Sequence, residues 1–290
     1  VHSIHPDKIR KLDGLSISAL SMGTYLGPID DRTDEEYISA LLLGASHGIN
    51  AIDTGSSYRK QRSEKMLKKF FSGLSSYGID REQIVVSTKV GFIPESADED
   101  SYEGYIRSKY VEKGILQHQD ILQDCYAISP RFIEEELYTS LENTGLSCFD
   151  LYYINYPEIP LMHLGEEGFA DKMIAAFSLL ESKVAEKTIR RYGIATWNGL
   201  RKKPEKPGVL SIEKLVEYAK IAGGEDHHFR VIQTPFNLVM LEAIRTQNQP
   251  GEKTPLSAAA EQEIALVFSS SFMQSKALCL PKRIFDAIPE

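Results

Sequence analysis

The segment Asn50-Ala51-Ile52-Asp53-Thr54-Gly55-Ser56-Ser57-Tyr58 and the later Val85-Val86-Ser87-Thr88-Lys89 set a carboxylate, a phenol and an amine at the ends of two short apolar runs. A phenol beside an ammonium that a carboxylate holds in place is a proton donor. The ammonium favours the phenolate and draws the tyrosine pKa down from about 10 toward working pH, while the carboxylate keeps the lysine charged. Both runs read as buried strands, so the three groups sit where rigid strand passes into loop, the usual place for chemistry in a parallel α/β protein. The plainer alternative is a structural Asp53–Lys89 ion pair at a strand end.

The elements that must position these groups alternate along the chain. Apolar, β-branched runs recur at 18–22, 49–52, 84–88, 150–154, 192–195, 230–233 and 264–268, and helical segments fall between them. Thr33 to Gly48 predicts a helix with a Thr33/Glu36 capping box and Tyr37, Ile38, Leu41, Leu42 and Ala45 on one face. Further helices are expected near 63–71, from Ser129-Pro130 to Gly145, over 169–188, after Ser211, and over 256–262. Strand spacing of about 30 to 40 residues fits a (β/α) barrel better than a two-domain sheet. One interval is roughly double, and its 92–128 stretch, with the acidic run Asp98-Glu99-Asp100, is too long for an ordinary loop. It is expected on the catalytic face, shaping a substrate pocket, as an insertion in a single domain spanning 1–290; the alternative is a surface excursion with no role.

Composition narrows the function classes. With 290 residues, 42% hydrophobic and 26% charged, the chain has the make-up of a soluble globular protein. A net charge of -8 argues against nucleic acid as the main partner, and the basic run Arg201 to Lys206 reads as a solvated loop. No apolar run approaches the roughly 20 residues that span a bilayer, and the N-terminus lacks the pattern of a secretory signal. The 3 cysteines, Cys125, Cys148 and Cys279, show no paired or metal-ligand spacing and read as reduced thiols, which places the protein in the cytoplasm. His227-His228 reads as a loop edge and not a metal pair, because neighbours on a strand point to opposite faces. No metal is expected.

Taken in order, DTxxxY (Asp53, Tyr58), STK (Lys89), DLYYI before Asn155, GIATW (193–197) and VIQTPFN (231–237) resemble the aldo-keto reductase family, and the match covers nearly the whole chain. The resemblance implies a parallel α/β (β/α)8 TIM-type barrel that binds NADPH, with NADH not excluded, across its C-terminal mouth. The chain has no GxGxxG opening a helix after a strand, in keeping with a nucleotide held without a Rossmann fold. It further implies reduction of an aldehyde or ketone, with Tyr58 as general acid, Lys89 tuning Tyr58, and Asp53 pairing with Lys89. Where the family has a histidine, this chain has Asn155, whose amide can donate a hydrogen bond to a carbonyl oxygen but cannot titrate. His163 is a remote substitute for that imidazole.

On the cofactor side, the resemblance assigns Gly23, Thr24 and Tyr25 to the nicotinamide ribose, with Asp53 beside them. Gln233 falls on the carboxamide contact, Phe268 on the ring-stacking position and Ser269 on a pyrophosphate contact. Thr196 or Asn198 replaces a second carboxamide ligand, and the sequence leaves that choice open. No eighth strand is found before Pro289-Glu290. The expectation is therefore a barrel whose eighth strand and final helix, with the adenine-binding half of the site, are missing from this chain. A nucleotide-binding barrel with a sensing or regulatory role is the rival to the enzyme reading, motivated by Asn155 and the altered 195–198 segment.

Overall fold

The computed structural model describes residues 8–96 and 101–279; the acidic run at 98–100 and the chain after 279 lie outside the described residues. The chain opens with an antiparallel hairpin, β1 (Ile9–Leu12) and β2 (Leu15–Ser18). Seven parallel strands follow in sequence order: β3 (Ser21–Gly23), β4 (Ala51–Asp53), β5 (Val85–Val90), β6 (Phe149–Asn155), β7 (Ile189–Ala195), β8 (Phe229–Pro235) and β9 (Ala265–Ser269). Between them run α1 (Asp31–Ser46), α2 (Arg62–Gly73), α3 (Tyr102–Ile106), α4 (Pro130–Thr144), α5 (Glu158–Ala185), α6 (Ile212–Gly223), α7 (Glu242–Arg245) and α8 (Pro255–Glu261). This is the α/β, TIM-type order expected from the alternation. Among the described residues the sheet has seven strands, and β3 and β9 are not paired with each other.

Strands β5 and β6 are buried along their whole length, which is why they read as apolar runs and not as alternating ones. Their side chains still divide by parity. Val86, Tyr152, Ile154, Ile194 and Ile232 pack outward into the helices with Phe70, Ile133, Leu137, Met173, Phe177 and Leu180. Val85, Leu151, Tyr153, Ala195 and Val231 face inward and meet Leu12, Leu15 and Ile17 of the hairpin. The hairpin thus packs against the apolar lower interior, and the inward positions further along the strands are polar: Asp53, Ser87, Lys89, Asn155 and Gln233. The sheet curls far enough that Gln233 on β8 donates from Nε2 to Asp53 Oδ1 on β4, 3.0 Å away.

Several local expectations need correction. Ser18 belongs to the hairpin, so the first barrel strand is shorter and later than 18–22; the hairpin itself carries too few alternating residues to stand out. Helix α1 is capped by Asp30, whose Oδ1 accepts from Thr33 N at 2.8 Å, and Glu36 pairs with Arg32 instead of closing a capping box. Helix α4 starts at Pro130 and ends on Gly145 (φ 71) as its punctuation suggested, although the Ser129 hydroxyl makes no capping bond. Helix α5 begins at Glu158, eleven residues before the expected start, because its first turns are kinked at Gly165 (φ 70) and break the apolar stripe.

The described residues of the 92–128 interval are folded and packed. They leave the C-terminal end of β5, form α3 and a π turn over Arg107–Val111, and bury Tyr110, Leu116 and Tyr126. Tyr110 donates to Glu136 Oε1 of α4 at 2.7 Å, and Phe92 bridges to Tyr126 at the two ends of the interval.

Candidate active site

Lys89 occupies the last inward position of β5, with its side chain 2% exposed. Its Nζ lies 2.6 and 2.7 Å from the two oxygens of Asp53 and 2.8 Å from the Thr54 carbonyl. Asp53 Oδ1 also accepts from the Ser87 hydroxyl at 2.7 Å. The carboxylate at the end of β4 is therefore a hub for donors from β5 and β8. Burial works to discharge the ammonium, but Asp53 and the Tyr58 phenol outweigh it and hold Lys89 above the ordinary lysine range.

Tyr58 stands over this pair, with Lys89 Nζ 5.1 Å from its ring centroid. The sequence expectation was that the ammonium would draw the phenol below its usual value. The balance runs the other way: burial pushes Tyr58 up, Lys89 pulls it down, and Asp53 pushes it up again, for a net rise. The proton is therefore firmly on Tyr58, and Lys89 limits the rise. Tyr25, 58% exposed, packs its ring edge to face on Tyr58 at 5.0 Å. Tyr156 is electrostatically coupled to both Tyr58 and Tyr25, and is itself pushed up to about 12, by burial first and then by Glu158.

Asn155 ends β6 on the same inward row and is buried. Among the described residues its amide has no hydrogen-bond partner, so the group stands available. Its backbone is tightly set: the carbonyl accepts from the Tyr126 hydroxyl at 2.7 Å. Gly91 (φ 144) lies against the same carbonyl, and a Cβ there would come within 2.7 Å of it. Phe92 packs edge to face on both Tyr126 and Tyr156, at 5.6 and 5.2 Å. The returning end of the 92–128 interval thus buttresses the position of Asn155.

The cofactor-side candidates divide into committed and available groups. Thr24 is buried and donates its hydroxyl to Thr54 Oγ1 at 2.9 Å, while Gly23 beside it is exposed. Thr196 is also committed, donating to Glu158 Oε2 at 2.8 Å and accepting from Gly199 N at 2.9 Å. Asn198 is exposed, and of the two candidates it is the one whose side chain has no hydrogen-bond partner among the described residues. Gln233 is engaged with Asp53. Phe268 and Ser269 lie on edge strand β9, where Phe268 packs on Phe236 with centroids 4.7 Å apart. Asp53, Tyr58, Lys89 and Gln233 are brought into one cluster. Gly23-Thr24-Tyr25 and Phe268-Ser269 lie at the first and last strands of the sheet among the described residues.

Sequence reasoning passed over Glu158. It is 2% exposed at the start of α5, and its carboxylate accepts from Trp197 N at 3.2 Å and Asn198 N at 2.9 Å, besides Thr196 Oγ1. A carboxylate three residues after Asn155, near a helix start, was the available signal. Tyr126 was passed over for lack of any local signature. His163 is exposed and shares a contact with Gln123, and His227 is buried, not at a solvated edge. His228 pairs with Glu181 at 2.7 Å. Among the described residues no group of three metal-ligating side chains gathers, and no helix is long and apolar enough to cross a membrane.

Comparison with known proteins fits this geometry. A curated relative, the NADH-specific methylglyoxal reductase of Escherichia coli, is 25% identical over 186 residues, 62% of this chain and 49% of the relative; the chain spans about half the length of the relative it matches. Among solved structures, the holo form of an aldo-keto reductase from Bacillus halodurans is 21% identical, with 90% of this chain and 65% of that one covered at a TM-score of 0.56. An aldo/keto reductase from Klebsiella pneumoniae, in complex with NADP and acetate, is 18% identical over 93% of this chain and 70% of that one, at 0.59. At these identities the structural likeness is one of fold. The sequence model of the aldo/keto reductase family matches residues 19–205, more than half of the chain and all of β3 to β7. On that match, this chain belongs to the aldo/keto reductase family.

Proposed function

We propose that the chain carries the active site of a nicotinamide-dependent carbonyl reductase, converting an aldehyde or ketone to an alcohol with Tyr58 as general acid. The observation that carries this reading is the Lys89 ammonium, fastened to both oxygens of Asp53 and set beneath the Tyr58 ring at the strand ends of a family barrel. The residues present fit a nicotinamide nucleotide: the Asn198 amide is exposed and without a hydrogen-bond partner among the described residues, Phe268 and Phe236 offer aromatic faces, and Tyr25 lies open beside Tyr58. When bound, the reduced nicotinamide supplies hydride to the carbonyl carbon. Asn198, Phe268 and Ser269 are the residues that would hold it, with Gly23, Thr24 and Tyr25 toward the ribose and Gln233 joining once it leaves Asp53. The relative named for NADH and the neighbour solved with NADP leave both nucleotides in the proposal.

The chain's own steps follow from its groups. Asn155 donates from Nδ2 to the carbonyl oxygen and orients it. Tyr58 releases its phenolic proton to that oxygen as negative charge develops there, and the adjacent ammonium stabilises the phenolate left behind. Asp53 keeps the ammonium in place. Phe92 and Tyr156, packed on each other beside Asn155, shield the reacting oxygen from water on that side. The described residues of the 92–128 interval serve as one wall of the mouth, and the reaction is assigned to the cytoplasm. The second reading, a nucleotide-binding regulator, is favoured by one observation, the commitment of the Gln233 amide to Asp53.

The test is consumption of NADH or NADPH by the purified protein over a broad panel of aldehydes and ketones, with the alcohol identified as product. Turnover with at least one carbonyl is expected. Nucleotide binding without turnover across the panel would favour the regulatory reading and overturn this one.

A further inference from the structure

Directly after Tyr58 the backbone makes an uncommon turn: Arg59, Lys60 and Gln61 have φ of 49, 52 and 70, three successive non-glycine residues in the left-handed region. Each such residue persists only where its surroundings over-determine it. Within the turn, Lys60 pairs with Glu95 at 2.8 Å and Gln61 Nε2 donates to the Glu95 carbonyl at 3.0 Å; at its two ends stands one carboxylate of a neighbouring helix. Asp34 of α1 meets Arg59 Nη2 through Oδ1 at 2.7 Å and Arg62 through Oδ2, at 2.6 Å from Nη2 and 3.0 Å from Nε. The two guanidiniums bracket the left-handed turn, so Asp34 is the side chain common to both of its ends, while Arg62 also pairs with Asp31 and Arg59 Nη2 also donates to the Asp30 carbonyl at 3.4 Å. Arg59 is 2% exposed at its side chain, and Nε also donates to the Pro28 carbonyl at 2.9 Å. Its guanidinium lies over the Tyr37 ring, whose hydroxyl donates to the Leu26 carbonyl at 2.7 Å. Leu26 and Pro28 belong to the loop that carries Tyr25, the residue packed on Tyr58.

We propose that Asp34, acting through Arg59 and Arg62, is a positioning residue for Tyr58, holding the strained turn that aims the phenol over Lys89. The inference rests on the proposed role of Tyr58. Asp34 touches neither Tyr58 nor Lys89; its effect passes through the backbone of the turn and through the 25–28 loop. The arrangement explains why arginine stands at position 59: its planar fork reaches a carboxylate and a carbonyl at once, which an ammonium cannot do from one point.

The experiment uses Asp34→Asn and Arg59→Lys, assayed with the best carbonyl of the panel, beside Tyr58→Phe. Displacement of a reacting group by about 1 Å lowers turnover by about 10²-fold. Asp34→Asn is therefore expected to lower kcat by about 10- to 100-fold, with KM and the nucleotide Kd, read by fluorescence quenching, changed less than about threefold. Arg59→Lys, which keeps the charge but lacks the fork, is expected to lower kcat in the same direction by a smaller factor. Should Asp34→Asn fail to fold, Arg62→Lys reads the same clasp from its partly exposed side. A folded Asp34→Asn protein with unchanged kcat, or one that loses kcat and nucleotide affinity together, overturns the inference while leaving Tyr58 in its role. Full activity in Tyr58→Phe would instead remove the reading on which it rests.

Discussion

Replacing Lys89 by Met keeps the length and apolar stem of the side chain and removes only the ammonium. The loss falls on Asp53, whose two oxygens lie 2.6 and 2.7 Å from Nζ. Breaking a buried ion pair from one side costs about 3–5 kcal/mol. Here Asp53 is 19% exposed and keeps the Ser87 and Gln233 donors, so we expect a cost nearer about 2–3 kcal/mol. In a chain of this size that lowers the melting temperature by about 3–5 °C. The sign with pH follows from Lys89 being raised in the fold: its contribution is fully present below the ordinary value of 10.5 and is lost as pH rises through the higher folded value. Wild type and variant should differ at neutral pH and converge only in strong alkali. On the catalytic side, the only opposing pull of size on the Tyr58 phenol disappears, so its pKa climbs further. We expect kcat to fall by about 10²–10³-fold, with the basic limb of its pH profile displaced upward. Calorimetry and a pH series of cofactor oxidation provide both readings. A melting temperature within about 1 °C of wild type, together with kcat within about threefold, would refute the assignment of Lys89 as a buried, working cation.

Other positions give sharper local tests. Gly91→Ala places a Cβ 2.7 Å from the Asn155 carbonyl and 2.9 Å from the Tyr126 ring at a φ of 144, so we expect about 2 kcal/mol or more of destabilisation in denaturant titrations. An unchanged midpoint would mean that the Asn155 backbone is not held as described. Glu158→Gln offers one acceptor where the carboxylate serves three donors on 196–198; nucleotide binding should weaken about tenfold by calorimetric titration, and an unchanged Kd in a well-folded variant would detach Glu158 from the site. Glu64 is buried against Thr88 and Asn143, and burial raises its carboxyl above the ordinary value of 4.5. Its stabilising contribution is present below 4.5 and is lost as pH rises through the folded value, so Glu64→Gln should flatten the decline of melting temperature above that point; a parallel curve would exclude the effect.

The barrel was legible because parallel strands buried on both faces are written as apolar runs, and because Gly145 and Pro130 punctuate α4 where helix chemistry requires them. The hairpin was not, since Ile9–Leu12 and Leu15–Ser18 are short and half exposed. Asp53 and Lys89 could be paired from sequence because opposite charges at adjacent strand ends have few other partners. The direction of the Tyr58 shift could not, because it depends on how far the surrounding protein desolvates the ring against one ammonium. The committed state of Thr196 and Gln233 also depends on partners distant in sequence: Glu158 lies 38 residues from Thr196, and Asp53 lies 180 from Gln233. Tyr126 acts through a hydroxyl on a backbone carbonyl, a contact that leaves no mark in residue type or spacing.

The most direct measurement of the central claim is single-turnover reduction by Tyr58→Phe, with nucleotide affinity determined on the same sample. The substitution removes one oxygen and leaves the ring that packs on Tyr25 and over Lys89. If Tyr58 donates the proton, the nucleotide Kd stays within about threefold while the rate of the chemical step falls by at least about 10²-fold. A chemical step at the wild-type rate, with the nucleotide bound as before, would contradict the account.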